Sequence, residues 1–261
     1  MEQHHRESIE RFLEKYGHDQ SFRAILLGGS IAHGFAKPDS DIDVLIVADE
    51  AEYERRKKEH RLAFSVWDVC TYEGGYVDCK VVSRSFMELV AERGSDPARY
   101  AFKDCRVLVN RTADLEALLA RVTAYPVRQK AERRERFVSQ LLAWKWYYGE
   151  ALRKDNPYLV WLSLQKIVLF ACRIVLNENE TLYPYHKWLL AETKRAANKP
   201  ERFDGLLDRL LVSPDLEAVR QLADAVLRFS GLTERDVDWP NRFLLDSEWN
   251  WIAHEPPVDD L

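Results

Sequence analysis

The sequence is poor in the features that mark several protein classes. Its four cysteines, Cys70, Cys79, Cys105 and Cys172, are scattered with no C-x-x-C spacing. That argues against a zinc ribbon or a disulfide framework and fits a reducing compartment. There is no basic excess: 38 Lys and Arg stand against 43 Asp and Glu, for a net charge of −5. The electropositive surface of a duplex-binding protein is therefore not expected, and the acidic balance argues against nucleic acid as a partner. No apolar run reads as long enough to span a membrane, and the opening Met-Glu-Gln-His-His-Arg-Glu has no apolar signal core. No internal repeat or low-complexity tract stands out. A cytoplasmic protein is expected. With 261 residues, 46% of them hydrophobic, the chain has material for one or two compact domains.

What is present is organised around Ala24–Ala48, AILLGGSIAHGFAKPDSDIDVLIVA. Gly28, Gly29 and Ser30 follow the apolar run Ile25-Leu26-Leu27, where a strand ends. Asp41 and Asp43 precede Val44-Leu45-Ile46-Val47, where the next strand begins. Residues i and i+2 of a strand share a face, so both carboxylates point one way with their Cα atoms roughly 6.6 Å apart. Oxygen ligands at that spacing suit hard cations. The glycines permit turns and close approach that a Cβ would block. Ser30 reads as the N-cap of a helix starting at Ile31, whose free amides would suit phosphate. A phosphate seat beside a carboxylate pair is what a nucleotide with Mg²⁺ requires.

Downstream, residues 3–17 predict a helix, 23–28 and 42–48 strands, 50–61 a charged helix, and Leu62–Val69 a strand with Phe64, Val66 and Trp67 as packing residues. After Glu73-Gly74-Gly75, residues 76–82 read as a strand with Asp78, Lys80 and Val82 on one face. An aspartate within an apolar strand needs a partner. Asp78 is either paired with Lys80, exposed at a sheet edge, or a third carboxylate beside Asp41 and Asp43. Helices are expected at 86–93, from Ser95-Asp96-Pro97, and over 114–125, with a strand over 105–109. Beyond Val127 only helices are predicted, over 128–153, 157–177, 185–197, 201–211 and 214–230. The tail His254–Leu261 reads as acidic and mobile. The fold class is α+β: residues 1–125 form a small mixed sheet with flanking helices, and 126–261 an all-α bundle.

The pattern Gly29-Ser30-x-x-x-Gly34 followed by Ser40-Asp41-Ile42-Asp43 resembles the signature of the nucleotidyltransferase superfamily of the polymerase-beta type. Within it, the chain is similar to the antibiotic nucleotidyltransferases acting on aminoglycosides and lincosamides, which add a helical domain. The resemblance implies residues 1–125 as catalytic domain and 126–261 as the wall for acceptor and nucleotide. It implies Mg²⁺-dependent transfer of a nucleoside monophosphate, AMP from ATP, onto a hydroxyl of a small molecule, with pyrophosphate released. Asp41, Asp43 and Asp78 would hold two Mg²⁺ ions, with Asp78 on the acceptor side and a candidate general base. Gly29 and Ser30 would hold the β,γ-phosphates, and Lys187, read at the start of a helix, would meet the triphosphate from the helical domain.

Other candidates are weaker. Tyr183, Tyr185 and Trp188 are candidate stacking residues or core, His186 core or surface, Glu150 an acceptor-site base, and His33 a phosphate contact. A monomer or homodimer fits. The alternatives are an adenylyltransferase acting on protein or RNA ends and a non-catalytic, antitoxin-like nucleotide-binding module. No Arg-x(4–6)-His pair of the ribonuclease-toxin kind stands in the helical half, which weakens a fused toxin–antitoxin reading.

Overall fold

The computed structural model describes residues 1–253 and 255–260. The chain divides into two compact units, Met1–Ala124 and Tyr125–Leu261, and the architecture is α+β. Among the described residues, the first unit carries one five-stranded sheet. Its strands are β1 (Phe22–Leu27), β2 (Ile42–Ala48), β3 (Ala63–Val66), β4 (Val77–Ser83) and β5 (Arg106–Asn110), in the order β3-β4-β2-β1-β5. The β2–β4 pair is parallel and the others antiparallel. β2 is central and buried on both faces, which accounts for its near-continuous apolar run.

Helices cover both faces of the sheet. On one side α1 (Gln3–Tyr16) places Ile9 and Phe12 against Ile25, Leu27, Ile42, Val44 and Ile46. On the other, α4 (Arg84–Arg93) and α6 (Leu115–Val122) bury Met87, Val90, Leu115 and Leu118 against Ala24, Leu26, Leu45 and Val47. The caps follow local chemistry. The Asp49 carboxylate accepts from the Glu52 amide at the start of α3 (Glu50–Lys58). The hydroxyls of Ser83 and Ser95 do the same for α4 and α5 (Asp96–Tyr100). α3 begins with acids, ends in Arg55–Lys58 and buries nothing, as its charge density predicts.

The second unit is helical: α7 (Lys130–Arg153), α8 (Pro157–Glu178), α9 (Leu189–Arg195), α10 (Phe203–Val212), α11 (Leu216–Ser230) and α12 (Trp239–Phe243). The core lies between α7, α8, α10 and α11, around Leu141, Ile167, Val175, Leu207, Leu222 and Val226. One sequence expectation is corrected here. α8 is long and apolar enough to cross a membrane by length and composition. Half of its most apolar stretch is buried within the protein, and a helix buried on several faces needs no polar stripe there. Its N-cap is Asn156, which accepts from the Leu159 amide, with Pro157 in the first turn.

Smaller departures are also physical. Gly29, not Ile31, opens the short helix α2 (Gly29–Ala32), with Gly28 as its N-cap, so Ser30 is inside the helix. Trp67 is not a packing residue of β3; the strand ends at Val66 and Trp67 is 61% exposed. α9 starts later than expected, because Tyr185 takes φ +66° and residues 186–188 form a turn. α12 and the π-helical turn Leu244–Glu248 lie beyond the last helix the sequence predicts. Of the tail expected to be mobile, His254 and Leu261 lie outside the described residues, and Val258–Asp260 form a 3-10 turn.

Candidate functional site

The register of the sheet decides which acids meet. In the parallel β2–β4 pair, Ile42 is opposite Val77 and Asp43 opposite Asp78. Neighbouring strands are about 4.8 Å apart, so these two carboxylates start from adjacent backbone positions. Asp41 and Asp43 share their face with Leu45 and Val47, and Asp78 shares its face with Lys80 and Val82. Leu45, Val47 and Val82 continue that face beneath α4 and α6. The three acids are thus the uncovered end of one sheet face.

Each acid has a definite partner. The Tyr76 hydroxyl donates to Asp41 Oδ2 at 3.1 Å. Lys80 Nζ donates to Asp78 Oδ2 at 3.1 Å and stands 3.8 Å from Asp43 Oδ1. The pairing of Asp78 with Lys80 and the apposition of Asp78 to Asp43 therefore hold together. Partial burial pulls the Lys80 ammonium down, but its hydrogen bond to Asp78 and the charges of Asp78, Asp43 and Asp41 outweigh this and raise it above its ordinary 10.5. The hydrogen bond to Asp41 likewise pushes the Tyr76 phenol up. Among the described residues, no three of His, Cys, Asp and Glu stand close enough together to hold a metal ion. What is assembled is a carboxylate pair with an ammonium between its members, and a third carboxylate held by a phenol.

The glycine corner packs directly on this group. Gly29 has φ +59°, and a Cβ there would lie 1.7 Å from Asp43 Oδ2. The sequence predicts a glycine that makes room for a ligand; the close neighbour is the Asp43 carboxylate itself. The Gly28 amide donates to the Asp43 carbonyl at 2.9 Å. Ser30 is buried, and its hydroxyl has no hydrogen-bond partner among the described residues. A buried hydroxyl without a partner carries a desolvation cost, and a phosphate oxygen would relieve it.

Residues outside the motif hold the second arm in place. The Ser40 carbonyl accepts from the Tyr72 hydroxyl at 2.7 Å and lies 3.2 Å from His5 Nε2. His5 is fully buried, and its Nδ1 accepts from the Glu2 amide at 3.1 Å. The neutral ring with hydrogen on Nε2 satisfies both contacts. Burial, with the neighbouring His4, depresses the His5 pKa. Neither His5 nor Tyr72 was singled out in the sequence; the one available clue was a histidine on the buried stripe of α1.

The remaining candidates fall as follows. His33 is buried, its ring tilted against Tyr100 with centroids 4.5 Å apart, and its Nδ1 is 3.5 Å from Asp104 Oδ2. Lys187 is exposed in the turn before α9, its Nζ 4.9 Å from the centre of the Trp188 ring; it is not the first residue of a helix. Tyr183 is buried and its hydroxyl is 3.0 Å from His186 Nδ1, whereas Tyr185 is 57% exposed. Glu150 is ion-paired with Arg153 and Lys154, and these pairs lower its pKa.

Comparison with known proteins bears on the family. No curated protein matches the chain. A solved structure of a nucleotidyltransferase-like protein from Exiguobacterium sibiricum is similar at 9% identity over 94% of this chain and 78% of that one, with a TM-score of 0.48. The model of the nucleotidyltransferase domain matches residues 6–175, from α1 through most of α8. That span takes in the glycine corner, all three aspartates and well over half of the 261 residues, and on it the chain belongs to the nucleotidyltransferase domain family.

Proposed function

We propose that this nucleotidyltransferase moves a nucleoside monophosphate, AMP from ATP, onto a hydroxyl of a small molecule such as an aminoglycoside- or lincosamide-like antibiotic. The observation that carries the reading is the register pairing of Asp43 with Asp78, on a shared face with Asp41 and against the Gly29–Ser30 corner. The donor chemistry is of the kind hard divalent cations take, all carboxylate oxygen on one face; in the arrangement described the three acids are not gathered closely enough to hold an ion, and the Lys80 ammonium lies against two of them. Asp41, Asp43 and Asp78 would hold Mg²⁺, which when bound neutralises the triphosphate and acidifies the acceptor hydroxyl.

The chain's own groups do the rest by positioning and charge. The Ser30 hydroxyl and Gly29 amide donate to the terminal phosphates. Asp78 accepts the proton of the acceptor hydroxyl as its oxygen bonds to the α-phosphorus. The bond to the β-phosphate oxygen breaks, and pyrophosphate departs. Tyr76 fixes the Asp41 carboxylate through its hydroxyl. The four free cysteines support a reducing, cytoplasmic setting.

The test is incubation of wild type and Asp43→Asn with α-labelled ATP, Mg²⁺ and a panel of aminoglycosides and lincosamides. Label should pass to an acceptor with wild type only. Transfer that survives in Asp43→Asn, or no labelled acceptor at all, would overturn the reading.

A further inference from the structure

One large side chain beside the carboxylates has no part in the chemistry above. β3 runs antiparallel to β4, with Ser65 opposite Asp78 and Val66 opposite Val77. Trp67 follows Val66, so it comes beside Tyr76 on the face that carries Asp78. The two rings stack, with centroids 4.6 Å apart and planes at 29°. Tyr76 in turn donates to Asp41. One ring thus separates Trp67 from a carboxylate of the site, yet Trp67 is 61% exposed. Tryptophan is highly buried on average, and the stack with Tyr76 holds this one at the surface.

The order of the strands says what the exposed ring faces. Across the sheet the residues run from Trp67 after β3, to Tyr76, Asp78 and Lys80 of β4, to Asp41 and Asp43 of β2, to the Gly28–Ser30 corner after β1. Trp67 and Ser30 lie on opposite sides of the carboxylates. Phosphoryl-type transfer places the attacking and leaving oxygens roughly in line, on opposite sides of phosphorus. With the departing pyrophosphate at the Ser30 end, the attacking hydroxyl arrives from the Trp67 end.

We infer that Trp67, backed by Tyr76, is the platform on which the acceptor lies: a cyclic hydroxyl compound with its ring face on the indole and its reacting hydroxyl toward Asp78. This rests on the nucleotidyl-transfer reading for its direction. An aromatic face suits such a ligand because it offers broad apolar contact and a negative quadrupole for any nearby ammonium group. Tyr76 has a double part, fixing the indole by stacking and Asp41 by its hydroxyl.

The test uses the full chain labelled with 5-fluorotryptophan, the Trp67 resonance being identified by its loss in Trp67→Phe. Probes are kanamycin A as the cyclic compound, sorbitol as the open-chain control and α,β-methylene-ATP with Mg²⁺ as the donor. Kanamycin A should move the Trp67 resonance and sorbitol should not. Trp67→Ala should weaken kanamycin A binding at least tenfold while leaving nucleotide affinity within twofold, and Trp67→Phe should retain most of the binding. An unmoved Trp67 resonance with kanamycin A, or a loss of nucleotide affinity in Trp67→Ala, overturns the platform. Labelled product formed with unchanged acceptor affinity in Trp67→Ala would remove the platform and leave nucleotidyl transfer standing.

Discussion

Gly29 offers the sharpest test of how the site is built. An alanine there faces two separate penalties. The first is the backbone: φ is +59°, and an L-residue in that region costs roughly 1–2 kcal/mol. The second is overlap. The added Cβ would lie 1.7 Å from Asp43 Oδ2, 2.3 Å from its Cγ and 2.5 Å from its Cβ. Ordinary heavy-atom contacts are near 3.5 Å, so no adjustment of a few tenths of an ångström suffices. Either β1 and β2 part locally or the Asp43 side chain turns away. Overpacking of this kind costs about 1–3 kcal/mol, for a combined loss of about 2–5 kcal/mol. At roughly 2–4 °C per kcal/mol, Gly29→Ala should melt about 4–20 °C below wild type. Moving a catalytic group by an ångström costs on the order of 100-fold in rate, so label transfer should fall at least that far. Gly34→Ala is the control. Its φ is +73° but its Cβ would meet nothing within 4 Å, so it carries the backbone penalty alone and should keep activity within a few-fold. Thermal melts followed by circular dichroism, with label transfer on the same samples, decide the matter. Gly29→Ala melting within 2 °C of wild type with full activity would refute the close packing described here.

Three further outcomes follow from the same geometry. Lys80→Met should bind Mg²⁺ or Mn²⁺ more tightly by calorimetry, since the ammonium 3.1 Å from Asp78 and 3.8 Å from Asp43 competes for their oxygens. With the Lys80 side chain more than half exposed, solvent and salt screening limit the gain to about 1–2 kcal/mol, or roughly 5–30-fold; unchanged or weaker binding would count against that competition. Ser30→Ala removes a buried hydroxyl with no partner among the described residues, so its melting temperature should hold or rise while the nucleotide KM rises about tenfold; a drop in melting temperature would mean that the hydroxyl has a structural role instead. His5 has a depressed pKa, so its contribution is complete above the unfolded value near 6.5 and is lost as pH falls through the lower folded value. Protonation would set a second N–H against the Glu2 amide. Denaturant midpoints of wild type should therefore fall more steeply below pH 6.5 than those of His5→Gln, and identical slopes would exclude His5 as the cause.

Much of this architecture is local and therefore legible in the chain. The limits of β2 follow from where the apolar run starts and stops, and the shared face of Asp41 and Asp43 follows from strand periodicity alone. The charged α3, with acids first and bases last, and the Asn156-Pro157 start of α8 need no tertiary information. Composition likewise separates a strand-bearing first unit from a helical second one. The length of α8 is not so legible, because a buried core helix and a bilayer helix satisfy the same apolar criterion.

Tertiary structure decided what those pieces do together. Strand register is a long-range property, and a slip of one residue would have sent Asp78 to the opposite face of the sheet. Only the parallel pairing of β2 with β4 places it across from Asp43, and only that pairing brings Lys80 within reach of both. The reason for Gly29 is invisible in the chain, since the atom that excludes a Cβ belongs to a residue on the neighbouring strand. Trp67 looks like core in a list of residues and lies exposed because β3 ends one residue before it. Short-range preferences are written residue by residue, whereas contacts between strands distant in sequence exist only once the sheet has closed around them.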